Sequence, residues 1–398
     1  MKETIRCIHR DTTCSTYQNA TTFGRDTSNI AMKYHQSFPE YSSTPLADLS
    51  HTAHLLGIKN LFVKDESRRF GLNAFKGLGG SFCLGKYLAN RLGKDLSEIN
   101  ITYLTNEKIR EEIGDITFVT ATDGNHGRGI AWAAQMLEQK AVIYMPKGSV
   151  RERLENIRKY GAQAEITDLT YDEAVQYAAE CEEKYGWVLV QDTAWAGYEE
   201  IPQWIMQGYT TMALEAVLQL EALDQKPTHI FLQAGVGAMA GALTGFFTDY
   251  YKDEKPILTI VEPNHANCIF KTAEASDGRL HSIEGDLDTI MAGLACGTPC
   301  TIGWEMLNLY AENFVSVPDE IAEKGMRILG NPVADDPKVI SGESGAVTTG
   351  LVAELLQNPE LSMIRDQLQL DQDSVVLCFS TEGDTDQDNY RRIVWDGK

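Results

Sequence analysis

Between residues 96 and 221 short apolar runs alternate with amphipathic stretches, and the two periods separate strand from helix. Residues 116–120, 141–145, 164–167 and 187–191 read as strands. Residues 127–139, 150–160 and 172–185 read as helices. This alternation predicts a parallel α/β sheet of four strands. A helix over 201–220 carries the chain into a second alternation of strand 230–233, helix 238–250 and strand 257–262. Residues 264–300 are loop-rich. Helices over 303–312, 318–329 and 343–356 then precede a last strand, 374–379. Upstream, the first forty residues are polar and irregular and read as an arm. A helix over 46–56 and a strand near 61–63 follow, and an amphipathic helix runs from residue 76 to about 92. The expected fold class is α/β, with two open, twisted, mostly parallel sheets. A small domain (96–221) is inserted in a larger one built from 1–95 and 222–398. In such sheets functional residues gather at the carboxyl ends of strands.

Composition narrows the function. The chain has 398 residues and 43% hydrophobic and 23% charged content, as soluble globular proteins do. A net charge of −22 argues against a nucleic-acid partner, because phosphate backbones require clustered lysine and arginine. No apolar run approaches the ~20 residues of a membrane span, and the first residues carry no apolar leader, so a cytoplasmic protein is expected. The eight cysteines are scattered without a C-x-x-C pair. Cys268, Cys296 and Cys300 lack the histidine company of a zinc site, so no metal site is expected. A bridge from Cys268 to Cys296 or Cys300 is left open.

Four stretches carry candidate chemistry. The first is N-A-F-K-G-L-G-G-S (73–81), with Lys76 at a helix N-terminus. The positive pole of the macrodipole and the apolar neighbours Phe75, Leu78 and Phe82 both disfavour an ammonium, and a neutral amine is what a Schiff base requires. A surface lysine beside a glycine turn fits the stretch equally well. The second is T-A-T-D-G-N-H-G-R-G (120–129), at a strand end. A helix cap explains one of Asp123, Gly124, Asn125 and His126, not all four between glycines, which favours a site for a carboxylate or phosphate. Asp192, at an equivalent strand end in Q-D-T-A-W, reads by itself as a cap; paired with Asp123 it becomes a candidate acid or base. The third is Q-A-G-V-G-A-M-A-G (233–241), a strand–glycine turn–helix suited to a phosphate, with tight packing as the alternative. It lacks the acidic residue of a dinucleotide site, since Asp253 and Glu254 lie in a polar turn, so a simple phosphate ester suits it better. Last, S-G-E-S-G-A (341–346) and F-S-T-E-G-D-T (379–385) hold hydroxyls that serve either as caps or as partners of a ring nitrogen.

In this order the motifs resemble the tryptophan-synthase-β-like, fold type II group of pyridoxal-phosphate enzymes, across nearly the whole chain. F-G-L-N-A-F-K-G-L-G-G with T-A-T-D-G-N-H-G-R-G is similar to the diaminopropionate ammonia-lyase family in particular. The resemblance implies pyridoxal phosphate as cofactor, Schiff-based on Lys76, with Asn125 at the ring 3′ oxygen and Thr381 at the pyridine nitrogen. It implies a phosphate site at Gly235, Val236, Gly237, Ala238 and Met239. Many relatives have four glycines where this chain has Ala234, Gly235, Val236 and Gly237. Thr122, Gly124 and His126 would lie in the loop that holds the substrate carboxylate. Serine and threonine deaminases of this fold carry serine at the position of Asp123, and a carboxylate there suits a second ammonium on Cβ. The implied activity is α,β-elimination of 2,3-diaminopropionate to pyruvate and two ammonia. Asp123 would take the α-proton of the D isomer and Asp192 that of the L isomer. A small amino acid substrate and a homodimer are expected. The rival readings are a serine or threonine deaminase, a non-catalytic pyridoxal-phosphate-binding protein and, more remotely, a dinucleotide-dependent reductase.

Overall fold

Eleven strands form two sheets in a computed structural model that describes residues 4–12, 16–122 and 124–397. In chain order they are β1 (Arg6–His9), β2 (Leu46–Asp48), β3 (Asn60–Asp65), β4 (Thr117–Ala121), β5 (Lys140–Met145), β6 (Gln163–Ile166), β7 (Val188–Leu189), β8 (His229–Gln233), β9 (Ile257–Pro263), β10 (Asn313–Val317) and β11 (Val375–Ser380). Contacts divide the chain into a unit of Met1–Arg25, Ser43–Arg68 and Met212–Lys398, and a unit of Asp26–Ser42 and Arg69–Thr211. The apolar pattern alone draws the smaller unit at 96–221.

The smaller unit holds the all-parallel sheet β6-β5-β4-β7. Strand β4 (T-F-V-T-A) and the body of β5 are almost wholly buried, because helices cover both faces of a parallel sheet and leave no polar side. Helix Tyr171–Tyr185 packs on β4 and β5. It begins with a capping box of Thr170 and Glu173 and ends at Gly186, whose φ of +67° suits a residue without Cβ.

The larger unit holds the sheet β1-β10-β9-β8-β11-β3-β2, parallel in its five inner strands and antiparallel at both edges. Its core packs helices Asp319–Gly330 and Glu343–Gln357 against β11, β8 and β3. The α/β class and the two mostly parallel sheets agree with the pattern of the sequence.

Four local readings differ. Residues 46–56 are not one helix: Leu46–Asp48 pairs with Phe62–Lys64 of β3, and the helix is Ser50–Leu56. The polar arm contributes edge strand β1, which pairs with β10, and helix Arg25–His35. Strand β10 (N-F-V-S-V) lacks a long apolar run, yet it is buried between β9 and β1. The region 264–300 contains helix Cys268–Ala275, stabilised from a distance: the Glu262 carboxylate accepts from the backbone N–H of Ile269 (2.9 Å) and of Phe270 (2.6 Å).

Candidate active site

Lys76 stands at the N-terminus of helix Gly77–Arg91. Glycine inside a helix costs about 1 kcal/mol against alanine, yet Gly79, Gly80 and Gly85 all lie in this one. Packing in the smaller unit requires them. A Cβ on Gly80 would lie 3.1 Å from the carbonyl oxygen of Gly129, and one on Gly129 would lie 3.0 Å from the Lys76 carbonyl. Gly129 belongs to helix Asn125–Met136, so the two helices meet backbone to backbone beside the residue that carries the amine. Gly79 admits a ring instead, for its Cβ would fall 2.5 Å from Cε1 of Tyr209.

The Lys76 ammonium donates to Oδ2 of Asp192 at 2.5 Å and lies 5.3 Å and 5.8 Å from the ring centroids of Phe75 and Tyr209. Asp192 follows β7, and its neighbour welds that strand end to β4. Gln191 Oε1 accepts from Thr120 Oγ1 (2.8 Å) and from the Ala121 N–H, while its Nε2 donates to the Ala121 carbonyl (3.0 Å) and to Tyr171 Oη (2.9 Å). Tyr198 Oη accepts from the Gln191 N–H and donates to the Leu189 carbonyl. His126 Nε2 donates to the Val190 carbonyl at 2.8 Å, and its Nδ1 faces Asp192 Oδ2 at 3.7 Å. Burial pushes the Asp192 carboxyl up. The charges of His126 and Lys76, with the hydrogen bond from Lys76, outweigh burial and hold it well below the usual carboxylate range.

The neighbouring loop is ordered by Thr122, whose Oγ1 accepts from the N–H groups of Gly124 (3.0 Å) and Gly127 (3.2 Å) at the start of helix Asn125–Met136. Asn125 Oδ1 accepts from Arg128 Nη2 at 3.2 Å. Asp123, the candidate base, lies outside the described residues. Lys76, Asp192 and His126 thus come together, with Thr122, Gly124 and Asn125 on the loop that leads into His126.

In the larger unit, Gly237 (φ +88°) turns the chain from β8 into helix Ala238–Tyr251, which starts without a side-chain cap. Carbonyl groups of the turn are used: Val236 accepts from the Cys300 N–H (2.7 Å) and Gly237 from the Gly241 N–H (2.8 Å). The N–H groups of Gly235, Val236, Gly237, Ala238 and Met239 find no acceptor among the described residues. Five such donors at the positive end of a helix fit a phosphate. The two-glycine form preserves this cradle because the tight neighbours crowd Gly235 and Gly237. A Cβ on Gly235 would lie 3.1 Å from Cys296 Sγ, and Gly237 holds the positive φ.

Thr381 follows β11, and its Oγ1 accepts from Gln233 Nε2 at 2.9 Å. The S-G-E-S-G-A turn is tied down nearby. Ser380 Oγ donates to Ser341 Oγ at 2.8 Å, and Ser344 Oγ accepts from the Gly293 N–H at 3.1 Å. Within the larger unit, the phosphate cradle and the Thr381 hydroxyl suit the phosphate and ring nitrogen of pyridoxal phosphate. Within the smaller unit, a lysine beside a carboxylate suits its aldehyde. None of the seven described cysteines is in a disulfide. Sequence reasoning missed Gln233 and Tyr209. Gln233 had a signal, a polar residue closing the apolar strand H-I-F-L-Q; Tyr209 had none.

The profile of the family described as pyridoxal-phosphate dependent enzyme matches residues 38–367. A diaminopropionate ammonia-lyase of Salmonella typhimurium is 51% identical over 92% of this chain and 91% of its own length. The Escherichia coli enzyme of that name is 48% identical over 94% of this chain and 93% of its own. An L-threonine ammonia-lyase of Thermotoga maritima reaches 26% over 64% of this chain and 58% of its own length. Among solved structures, holo diaminopropionate ammonia lyase from Escherichia coli superposes with a TM-score of 0.92 at 44% identity, covering 99% of this chain and 97% of that one. The same enzyme in complex with an aminoacrylate-PLP azomethine reaction intermediate gives 0.90, covering 99% of this chain and 98% of that one.

Proposed function

Since the chain belongs to the pyridoxal-phosphate dependent enzymes, and within them to the diaminopropionate ammonia-lyases, we propose that it degrades both the D and the L isomer of 2,3-diaminopropionate. It is a carbon–nitrogen lyase that uses pyridoxal phosphate for an α,β-elimination. Water completes the balance, so that each diaminopropionate yields one pyruvate and two ammonia.

The observation that carries the reading is the 2.5 Å contact between Lys76 Nζ and Asp192 Oδ2. Lys76 supplies the amine that anchors the cofactor. Bound pyridoxal phosphate supplies an electron sink for the carbanion left when the α-proton departs. Asp192, held ionised, accepts that proton from the L isomer; Asp123 accepts it from the D isomer and pairs with the β-ammonium. The amides of Gly235, Val236, Gly237, Ala238 and Met239 hold the phosphate, Asn125 the ring oxygen and Thr381 the ring nitrogen. Thr122, Gly124 and His126 hold the substrate carboxylate. Because the His126 ring serves Val190 and Asp192, its part in this falls to its backbone N–H at the helix start. The same reading takes the enzyme as a cytoplasmic homodimer, on the strength of the family resemblance, and light scattering tests the dimer.

The test is pyruvate release from D- and L-2,3-diaminopropionate with D- and L-serine alongside. The reading expects both diamino isomers to turn over fast and serine slowly. Fast L-serine or L-threonine turnover without diaminopropionate activity overturns it in favour of a deaminase.

A further inference from the structure

Gln233 closes β8 and Thr381 follows β11, two adjacent parallel strands, so their polar ends meet at one edge of the sheet. Gln233 is 1% exposed and Thr381 is 4% exposed. Gln233 Nε2 donates to the Phe379 carbonyl and to Thr381 Oγ1, both at 2.9 Å. The carbonyl decides the polarity. A carbonyl oxygen only accepts, so the atom opposite it must be the amide nitrogen. Flipping the amide would set Oε1 against the Phe379 lone pairs. With the first N–H given to Phe379, the second goes to Thr381, and Thr381 Oγ1 is the acceptor of that bond. Its own proton has no acceptor among the described residues. Gln233 Oε1 is also buried without a hydrogen-bond partner among them. Burying an unsatisfied acceptor is unfavourable, and the bonds that Gln233 makes here are those of its nitrogen.

We propose that Gln233 is a positioning residue: it fixes the Thr381 hydroxyl as a donor to the cofactor ring nitrogen and thereby keeps that nitrogen unprotonated. The inference rests on the reading that Thr381 faces the ring nitrogen. A hydroxyl whose oxygen already accepts from an amide N–H is a poor acceptor for a pyridinium N–H and a good donor to a pyridine lone pair. An unprotonated ring withdraws fewer electrons. With the cofactor bound, a ring that draws off fewer electrons would favour loss of the β-amine over slower reactions of the cofactor.

The experiment uses holoenzyme loaded with pyridoxal phosphate labelled with 15N in the ring, reading the ring-nitrogen chemical shift and the cofactor Kd. Wild type should give the shift of a hydrogen-bonded, unprotonated pyridine. Gln233→Met frees Phe379 O to take the Thr381 proton. Thr381 Oγ1, without the amide donor, is then free to accept, so the signal should move towards pyridinium, and cofactor affinity should fall by about fivefold at most, the worth of one hydrogen bond. Gln233→Glu, buried and protonated, gives its one proton to Phe379 and accepts from Thr381, so the signal should move the same way, towards pyridinium. This second variant preserves the shape of the site, so a shift towards pyridinium in it excludes general loosening as the cause. Thr381→Val should also move the signal. If Thr381→Val moves it and both Gln233 variants leave it at the wild-type value, the inference is overturned and the reading of Thr381 stands. If Thr381→Val leaves it unmoved, Thr381 does not face the ring nitrogen and both fall. A pyridinium shift in the wild type overturns the inference.

Discussion

The Lys76 ammonium and the Asp192 carboxylate lie 2.5 Å apart, across 116 residues of sequence. Each holds the other. The carboxylate fixes the amine at the helix start, and the amine, with His126, keeps the carboxylate ionised against the effect of burial. The folded pKa of Asp192 lies below its unfolded value. Its contribution to stability is therefore present above the ordinary aspartate pKa and is lost only as pH falls through the depressed one. Asp192 stays ionised throughout the neutral range.

Lys76→Arg keeps the positive charge opposite Asp192 but has no amine for a Schiff base. The variant should fold, with a Tm close to the parent. Borohydride should fix no cofactor to it, and pyruvate formation should fall to background.

Gly79→Ala places a methyl 2.5 Å from Tyr209 Cε1 and 2.7 Å from Ile205 Cγ2. Overpacking of this kind costs about 1–3 kcal/mol. Thermal denaturation should show a lowered Tm. Cofactor uptake should weaken too, because the displaced ring lies against Lys76.

Lys64 and Glu215 form a fully buried ion pair at 2.8 Å in the larger unit, with Lys64 also donating to the Thr44 carbonyl. Glu215→Ala removes this carboxylate from the buried ammonium, and denaturant titration should show a loss of about 3–5 kcal/mol. Lys64→Met together with Glu215→Leu should recover much of that loss, since an apolar pair of similar volume carries no desolvation penalty.

Burial, followed by repulsion from Glu382, pushes the Glu343 carboxyl up to about 7 from an ordinary 4.5. The folded state therefore binds more protons than the unfolded state between those values, and stability falls as pH rises through that window. Glu343→Gln removes this slope and keeps an oxygen for Asn389 Nδ2. Against wild type, its unfolding free energy from denaturant titration should gain at pH 8 relative to pH 5, by an amount on the order of 3 kcal/mol at most.

The parallel sheet of the smaller unit was legible because its two inner strands, β4 and β5, are largely apolar runs set between amphipathic helices. Edge strand β1 was not, since Arg6–His9 is a polar segment whose partner Asn313–Val317 lies 304 residues away at His9–Asn313. Local pattern carries no information about such a pairing. The lysine motif was legible down to its glycines, although their reason was not: Gly79 is explained by Tyr209 and Ile205, on a helix with no distinguishing signal. Asp192 was placed by topology, at a strand end equivalent to that of Asp123. Its contact with Lys76 is a product of packing that no spacing encodes.

The central claim is that Asp192 serves one isomer and a second base the other. The most direct measurement is kcat/KM of Asp192→Asn on D- and L-2,3-diaminopropionate, each against wild type. Removing a positioned base costs about 10²–10⁴ in rate. The account predicts a loss of that size on the L isomer, with the D isomer falling by less than about tenfold. Equal losses on both isomers, or a loss confined to the D isomer, would contradict it.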